Sequence, residues 1–402
     1  MDNQYLKDLI SEAQARGGGM LLSYEDQPAA VVLSVEKYNE LLANQHVSLS
    51  APTSGKAGVG VPTEASGQTQ TEIFDTMKHM NKNVLVTGGA GYIGGHLVHE
   101  LIKAGYKVTI LDNLSTGRRE NIHPQAKFVE GDLADENLLR DLFAAEKFDA
   151  VFHMAASLEV AESVKEPEKY FQNNVVNAAR LLNAMNEAGI KKIIFSSTAA
   201  VYGQASDEPV TETSPLRPNN PYGSSKLLVE RIVKYYCEYL GFKAVVFRYF
   251  NACGFDLEAN ILPTHHSHLI YNVLNVAKGG APHLQVFGND YPTFDGTCIR
   301  DYVHVTDIVL PHILALEKMD SLNNFEIFNI GTGHGSSVWQ VANGASEIIN
   351  RIIPMEVAPR RDGDAAITVA DNSKLVNVLG YTPGHSDLQN MIATSWEVLK
   401  ND

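Results

Sequence analysis

Cysteine is scarce, with only Cys237, Cys253 and Cys298 in 402 residues. Three scattered thiols exclude a disulfide framework or a metal knuckle, and a reducing, cytoplasmic setting is expected. Positive charge is also in deficit: 32 lysines and arginines face 47 aspartates and glutamates, a net charge of −15. That balance argues against a general binder of nucleic-acid backbones, which needs a basic face. No apolar run approaches a membrane span, and the amino terminus lacks the basic-then-apolar pattern of a signal peptide. Neither nucleic acid nor membrane is therefore an expected partner. Hydrophobic residues at 44% and charged residues at 20% are ordinary for a globular chain long enough for two domains.

The chain divides by composition. Residues 1–46 read as a small α+β appendage: a Gly17-Gly18-Gly19 break, strand-like runs at Met20–Leu22 and Ala29–Leu33, then a helix over Val35–Leu42. Residues 47–76 are rich in Ser, Thr, Gly, Ala and Pro, cannot bury a core, and read as a flexible linker. A second start-like methionine, Met77 or Met80, opens the globular pattern.

From there strands and helices alternate. Strands are expected at Val84–Val86, Lys107–Leu111, Lys127–Glu130, Ala150–His153, Lys192–Ser196 and Ala244–Arg248, with the longest helices at Phe171–Glu187 and Tyr222–Tyr239. The pattern predicts an α/β fold, a Rossmann-like doubly wound parallel sheet over residues 77–250. Residues 251–402 are expected to form mainly a smaller substrate-binding lobe, with some segments returning to the sheet. Gly88, Asp112, Ala155, Thr198 and Asn251 fall at strand ends on one rim.

Two signals on that rim carry chemistry. Val84–Val86 is an apolar β-branched run followed by Gly88, Gly91 and Gly94, three apart, and then a helical pattern at Ile93, Leu97 and Leu101. Such a turn lets a pyrophosphate rest on a helix N-terminus. A second strand ends in Asp112, eighteen residues after Gly94, where a carboxylate accepts from ribose hydroxyls and repels a 2′-phosphate. Strand, turn, helix, strand and acid in register predict NAD. Tyr222 and Lys226 then lie at i and i+4 on one helix face, and an ammonium beside a phenol lowers its pKa.

With these residues in hand, residues 82–402 resemble the extended short-chain dehydrogenase/reductases and, among them, the UDP-glucose 4-epimerases. The resemblance rests on Thr87–Gly94, Leu111–Ser115, Gly131–Leu133, Ser196–Gly203, Tyr222–Lys226, Arg248–Asn251 and Gly288–Thr297, running on through Arg300–Val305. It implies that Tyr222 takes the proton from the sugar 4-hydroxyl as hydride leaves C4 for tightly held NAD. The 4-keto sugar then turns over and receives the hydride on its other face. Thr198 would bond the 4-oxygen, and Lys226 would bind the nicotinamide ribose.

The resemblance also implies contacts. Tyr92 and Ile93 would meet the diphosphate, Asp112, Asn113, Ser115, Thr116 and Gly117 the adenosine side, and Asp132 and Leu133 the adenine. Met154, Ala155, Ala156 and Leu158 would line the nicotinamide side, completed by Asn173 and Phe250. Leu158 departs from the lysine that some members place there. For the UDP-sugar, the resemblance points to Asn251, His268, Leu269, Gln285, Val286, Phe287, Arg300, Arg361 and Asp364. Guanidinium pairs bidentately with phosphate oxygens, which suits Arg300 and Arg361. Thr368 stands where some members carry a tyrosine beside the sugar, leaving room for a 2-acetamido group. A homodimer built on the two long helices is implied by the same analogy.

Competing readings leave different traces. A 4,6-dehydratase wants an acid–base pair directly after the threonine, and Ala199-Ala200 occupy those positions. A decarboxylase acting on UDP-glucuronate would want a glutamate in the same loop. A 4-epimerase of pentose or uronic-acid nucleotides stays open. A regulatory protein on a dead scaffold is disfavoured by the intact Tyr222, Lys226, Thr198 and glycine turn. His265, His266 and His268 have no nearby Cys or carboxylate pair to complete a metal site, so no metal is expected. Residues 6–43 resemble part of a Phd/YefM-type antitoxin, but residues 1–46 carry three basic against seven acidic side chains, which opposes operator binding.

Overall fold

The computed structural model describes residues 19–24, 27–33, 82–204, 209–264, 268–361 and 364–400. The chain falls into two units, residues 1–67 and 68–402. In the first, strands β1 (Gly19–Tyr24) and β2 (Gln27–Leu33) pair antiparallel, each longer than the run read from the sequence. The helix expected at Val35–Leu42 and the linker expected over 47–76 lie outside the described residues.

The second unit is organised by a seven-stranded parallel sheet. Its strands are β3 (Asn83–Thr87), β4 (Lys107–Asp112), β5 (Lys127–Glu130), β6 (Ala150–His153), β7 (Lys192–Thr198), β8 (Lys243–Tyr249) and β12 (Phe325–Ile330), in the order β12-β8-β7-β6-β3-β4-β5. Six are the strands expected from sequence. β12 is the seventh, a return from the later half of the chain that pairs with β8 from Phe325↔Ala244 to Ile330↔Tyr249.

Alternate side chains serve opposite faces, because neighbouring strand residues point apart. Val84, Val86, Val108 and Ile110 share a core with Leu97 and Leu101 of helix α1 (Tyr92–Lys103) and with Ile308 and Ile313 farther along the chain. Leu85, Val151, Ile193 and Val246 share the other core with Leu139 and Phe143 of α2 (Glu136–Ala145). Further on lie α3 (Val160–Lys165), α4 (Pro167–Tyr170), α5 (Asn177–Glu187) and α6 (Pro221–Leu240). The expected helix Phe171–Glu187 has two parts: a π-helical stretch, Phe171–Val176, and then α5. Helix α6 begins where the Asn220 side chain accepts the Gly223 amide at 2.8 Å with proline in the first turn, and it stops at left-handed Gly241.

The smaller lobe has its own core, in which Val273 and Leu274 of α7 (Leu269–Lys278) meet Val341, Ala345, Met391 and Ile392. Strand β9 (Asn251–Cys253) and β10 (Leu284–Phe287) precede β11 (Ile299–His304), which anchors the lobe. β11 pairs with β9, with β13 (Gly335–Ser337) and with β15 (Ile367–Thr368), while β10 pairs with β14 (Met355–Ala358). Helices α8 (Val305–Lys318), α9 (Val338–Ile349) and α10 (Leu388–Leu399) complete the unit. Among the described residues no helix is long and apolar enough to cross a membrane.

Candidate active site

The rim begins at the switch between β3 and β6, where successive connections leave in opposite directions and a crevice opens. Gly88 follows β3 at φ +75°, a backbone that L side chains rarely adopt, and a Cβ there would lie 2.6 Å from the Ala155 amide. A Cβ on Gly94 would sit 2.1 Å from the Gly88 carbonyl. Only glycine fits either place. Helix α1 starts at Tyr92 with Gly91 as its N-cap, so its first-turn amides have no partner inside the helix and face the crevice.

Asp112 ends β4 and braces this turn. Its carboxylate accepts the Ala90 amide at 3.0 Å and the Leu114 amide at 2.9 Å. Burial raises its pKa and those two amides oppose the rise. Asn113 donates to Asp132 at 2.6 Å, tying the two acid-bearing loops together. Glycine turn, free helix amides and adjacent acid together fit a dinucleotide. Tyr92 differs from expectation in one respect: its hydroxyl donates to the Gly254 carbonyl, so its side chain fastens α1 to the β9 loop and only its backbone is left for a diphosphate. Leu133 and Val286 are buried in apolar cores.

The second half of the rim is the meeting of β7 with α6. Thr198 ends β7, and its hydroxyl bonds the Tyr222 phenol and accepts the Ala200 amide at 3.1 Å. Lys226 is 3% exposed, donates to the Ser196 carbonyl at 2.7 Å and lies 5.0 Å from the centre of the Phe195 ring. Burial pushes the Lys226 ammonium down to about 7, with the Glu230 carboxylate opposing. Burial also pushes the Tyr222 phenol up to about 12, against the Thr198 hydrogen bond and with the Glu159 charge adding to the rise. The lowered phenol pKa read from the i, i+4 spacing is thus corrected: Lys226 is directed at Ser196, and burial outweighs the Thr198 hydrogen bond that opposes it.

Between the halves run Met154, Ala155, Ala156 and Leu158, all half-buried after β6. Asn173 donates to Ser157 at 3.0 Å. Its neighbour Asn174 was missed in the sequence. It accepts the Ser157 amide at 2.8 Å and donates both to the Ser157 carbonyl at 2.9 Å and to the Ser225 hydroxyl at 3.0 Å. Ser225 in turn donates to the Tyr222 carbonyl at 2.7 Å. The π-helical turn therefore clamps this loop to the start of α6. Glu230, four residues beyond Lys226 on the same helical stripe, is the other omission, and that spacing was its available signal.

The small lobe supplies the remaining candidates. Asn251 donates to the Asp301 carbonyl at 2.9 Å, and Arg300 lies 3.6 Å from Asp364 and pairs in register with Thr368. Arg361 stacks over Phe287 at 3.7 Å, and Gln285 stands two residues earlier on β10. Phe250 packs with Val201, Tyr202 and Ala370, which joins the segment just past β15 to the Thr198 side of the crevice. His268 caps α7 just before Leu269, while His265 and His266 lie outside the described residues. Among the described residues, His99, Glu100 and Asp256 bring three possible ligand atoms within 4.8 Å of one another, with the Lys103 ammonium already 3.6 Å from Glu100.

Comparison with known proteins gives these residues a setting. The family model described as "NAD dependent epimerase/dehydratase family" matches residues 84–331. The chain is 45% identical over 320 residues to the UDP-glucose 4-epimerase of Lacticaseibacillus casei, covering 79% of this chain and 97% of that one. It is similar to the crystal structure of the Brucella ovis UDP-glucose 4-epimerase in complex with NAD, with a TM-score of 0.76, 38% identity, and coverage of 79% and 98%. It also resembles the UDP-Glc/GlcNAc 4-epimerase of Campylobacter jejuni, with a TM-score of 0.72, 39% identity, and coverage of 80% and 100%.

Proposed function

The chain belongs to the NAD dependent epimerase/dehydratase family, and on that premise we propose how its residues divide the work of the reaction. The activity is the NAD-dependent, reversible C4 epimerisation of a UDP-hexose. NAD, when bound, supplies the redox chemistry at C4, and the protein supplies binding, orientation and proton transfer.

Tyr222 removes the proton from the sugar 4-hydroxyl and, once the 4-keto sugar has turned over, returns it to the 4-oxygen. Thr198, already bonded to the phenol, holds the 4-oxygen within reach of it. Lys226 holds positive charge beneath the phenol and meets the nicotinamide ribose. The first turn of α1 takes the pyrophosphate and Asp112 the adenosine ribose. Arg300 and Arg361 take the UDP diphosphate, with Asn251, His268, Leu269, Gln285, Phe287 and Asp364 around it. The observation that carries this division is the convergence of Thr198, Tyr222 and Lys226 on one strand end beside the glycine turn.

Three finer readings accompany it. Half-buried Thr368, on β15 beside Arg300, supports acceptance of N-acetylated sugars, because a threonine leaves space that a tyrosine would fill. Phe171 and Val176 on the π-helical stretch, and Leu228, Tyr235 and Tyr239 on α6, expose apolar surface, with Tyr239 76% exposed. That face supports a homodimer through these helices. Three free cysteines are consistent with a cytoplasmic setting.

The experiment is conversion of UDP-galactose to UDP-glucose by purified protein with no NAD added, alongside Tyr222→Phe. Turnover that collapses in the variant supports the assignment. No turnover by protein that retains NAD points to another nucleotide sugar, and neither turnover nor NAD would overturn it.

A further inference from the structure

Three successive residues at the end of β7 each hold a different residue of α6. The Ser196 carbonyl takes the Lys226 ammonium, the Ser197 hydroxyl donates to the Glu230 carboxylate, and the Thr198 hydroxyl bonds the Tyr222 phenol. Tyr222, Lys226 and Glu230 are spaced four apart and so share one stripe of the helix. Glu230 also takes Arg248 of β8 in a forked pair, Nε to Oε1 at 3.0 Å and Nη2 to Oε2 at 2.7 Å. Arg248 donates its remaining nitrogen to Tyr202 at 2.9 Å and to the Glu212 carbonyl at 3.1 Å.

Both charged side chains are almost wholly enclosed, at 1% exposure for Arg248 and 2% for Glu230. Enclosing such a pair is a poor way to gain stability, because apolar side chains of similar volume often do as well or better. A fork of fixed geometry sets register instead. It ties α6 to β7 and β8 one turn below the proposed catalytic pair.

We infer that Glu230 is a positioning residue for the epimerase reaction, fixing through Ser197 and Arg248 the register at which Tyr222 and Lys226 meet Ser196 and Thr198. The inference rests on the proposed roles of Tyr222 and Lys226. Charge reinforces the geometry. The groups around Lys226 are Tyr222 and Glu230 from its own helix, His153 from β6, Phe195 and Ser196 from β7, and Tyr249 of β8, which bonds Ser196. Glu230 is the carboxylate that counters the desolvation of the ammonium.

The test is Glu230→Gln, which keeps the shape and an acceptor for Ser197 while removing the charge. A Glu230→Gln/Arg248→Met double variant removes both charges in case a lone buried guanidinium prevents folding. Each is checked for folding by circular dichroism and for retained NAD, then assayed for kcat and KM on UDP-galactose between about pH 6 and 9. The expected result is a kcat lowered at least about tenfold with KM within about twofold, since small misplacements of reacting groups are costly. The high-pH limb of kcat moves to lower pH, because Lys226 loses its charge sooner without Glu230. Folded, NAD-loaded variants with parental kcat and an unmoved pH profile overturn the inference. If Tyr222→Phe is also fully active, the site reading itself fails; if only Glu230→Gln is harmless, the positioning role alone fails.

Discussion

Asp112 and Ala90 face each other across the glycine turn, the carboxylate accepting the amide at 3.0 Å. One acid therefore shapes the loop that would cradle the pyrophosphate, and it is also the charge proposed to meet the ribose. Asp112→Asn keeps the size but offers one carbonyl oxygen to two amides, Ala90 and Leu114, and turns an NH2 group toward the other. The loss is about 1–3 kcal/mol for an unsatisfied buried group. Purified variant should retain clearly less NAD per chain, read after denaturation by a cycling assay. Full occupancy would show that Asp112 does not hold the cofactor.

Tyr222→Phe removes the oxygen proposed to transfer the proton and leaves the ring packed edge-on against Tyr170, 6.5 Å away between centres. Turnover of UDP-galactose should fall by about a hundredfold or more, the usual worth of a positioned acid–base group. Stability should change little. A variant within a few-fold of the parent would assign the proton transfer elsewhere.

Thr368→Tyr should discriminate between sugars. The added ring occupies space beside Arg300, so turnover of UDP-N-acetylgalactosamine should fall about tenfold or more relative to UDP-galactose, in line with other steric discriminations of one group. Equal losses on both sugars would mean that Thr368 does not face the 2-position.

The expected fold was legible because its signals are local. Val84–Val86, Gly88, Gly91, Gly94 and Asp112 each answer to a short-range rule: the first forms the buried body of β3, and the glycines and the acid shape the turn beyond the strand ends. β12 was not legible, because Phe325–Ile330 becomes a sheet strand only through pairing with β8, far back in the chain. The π-helical turn at Phe171–Val176 keeps a helical pattern of residues and reveals itself only in the bonds that Asn174 makes to Ser157 and Ser225. The Tyr222 phenol is the instructive miss. Spacing puts Lys226 one turn on along the same helix, but the direction of the pKa shift depends on burial and on where Lys226 points.

Acid should unfold the protein through its buried histidines. His96, His153, His304 and His312 are all 3% exposed or less, and burial holds His96 and His304 at about 4 and His153 and His312 at about 3, against 6.5 for a free side chain. Below 6.5 the unfolded chain binds protons that the folded chain refuses. Stability is therefore complete above that value and is lost as the pH falls toward 4 and 3. At about pH 5 each histidine costs about 2 kcal/mol. The urea midpoint should drop steeply between about pH 7 and pH 5; a flat midpoint across that window contradicts the burial argument.

The proposed dimer face can be charged without touching the site. Leu228 and Tyr235 are 38% and 59% exposed on α6, away from the stripe that carries Tyr222, Lys226 and Glu230. Leu228→Asp/Tyr235→Asp should shift the light-scattering mass from twice the chain's 44.0 kDa to that of a single chain. A parent protein already at one chain mass would reject the interface.

Strand β11 gathers β13 and β15 at Arg300 and β9 at Tyr302–His304, drawing on segments from Asn251 to Thr368. During synthesis, six of the seven strands of the parallel sheet leave the ribosome well before Ile367 and Thr368 exist. Domains assemble from the amino-terminal side as they emerge, and contacts between distant segments form late. A ribosome-bound chain of this protein would therefore present its glycine turn to NAD while the strands proposed to seat the sugar were still unmade, and the order of translation would match the order of occupancy.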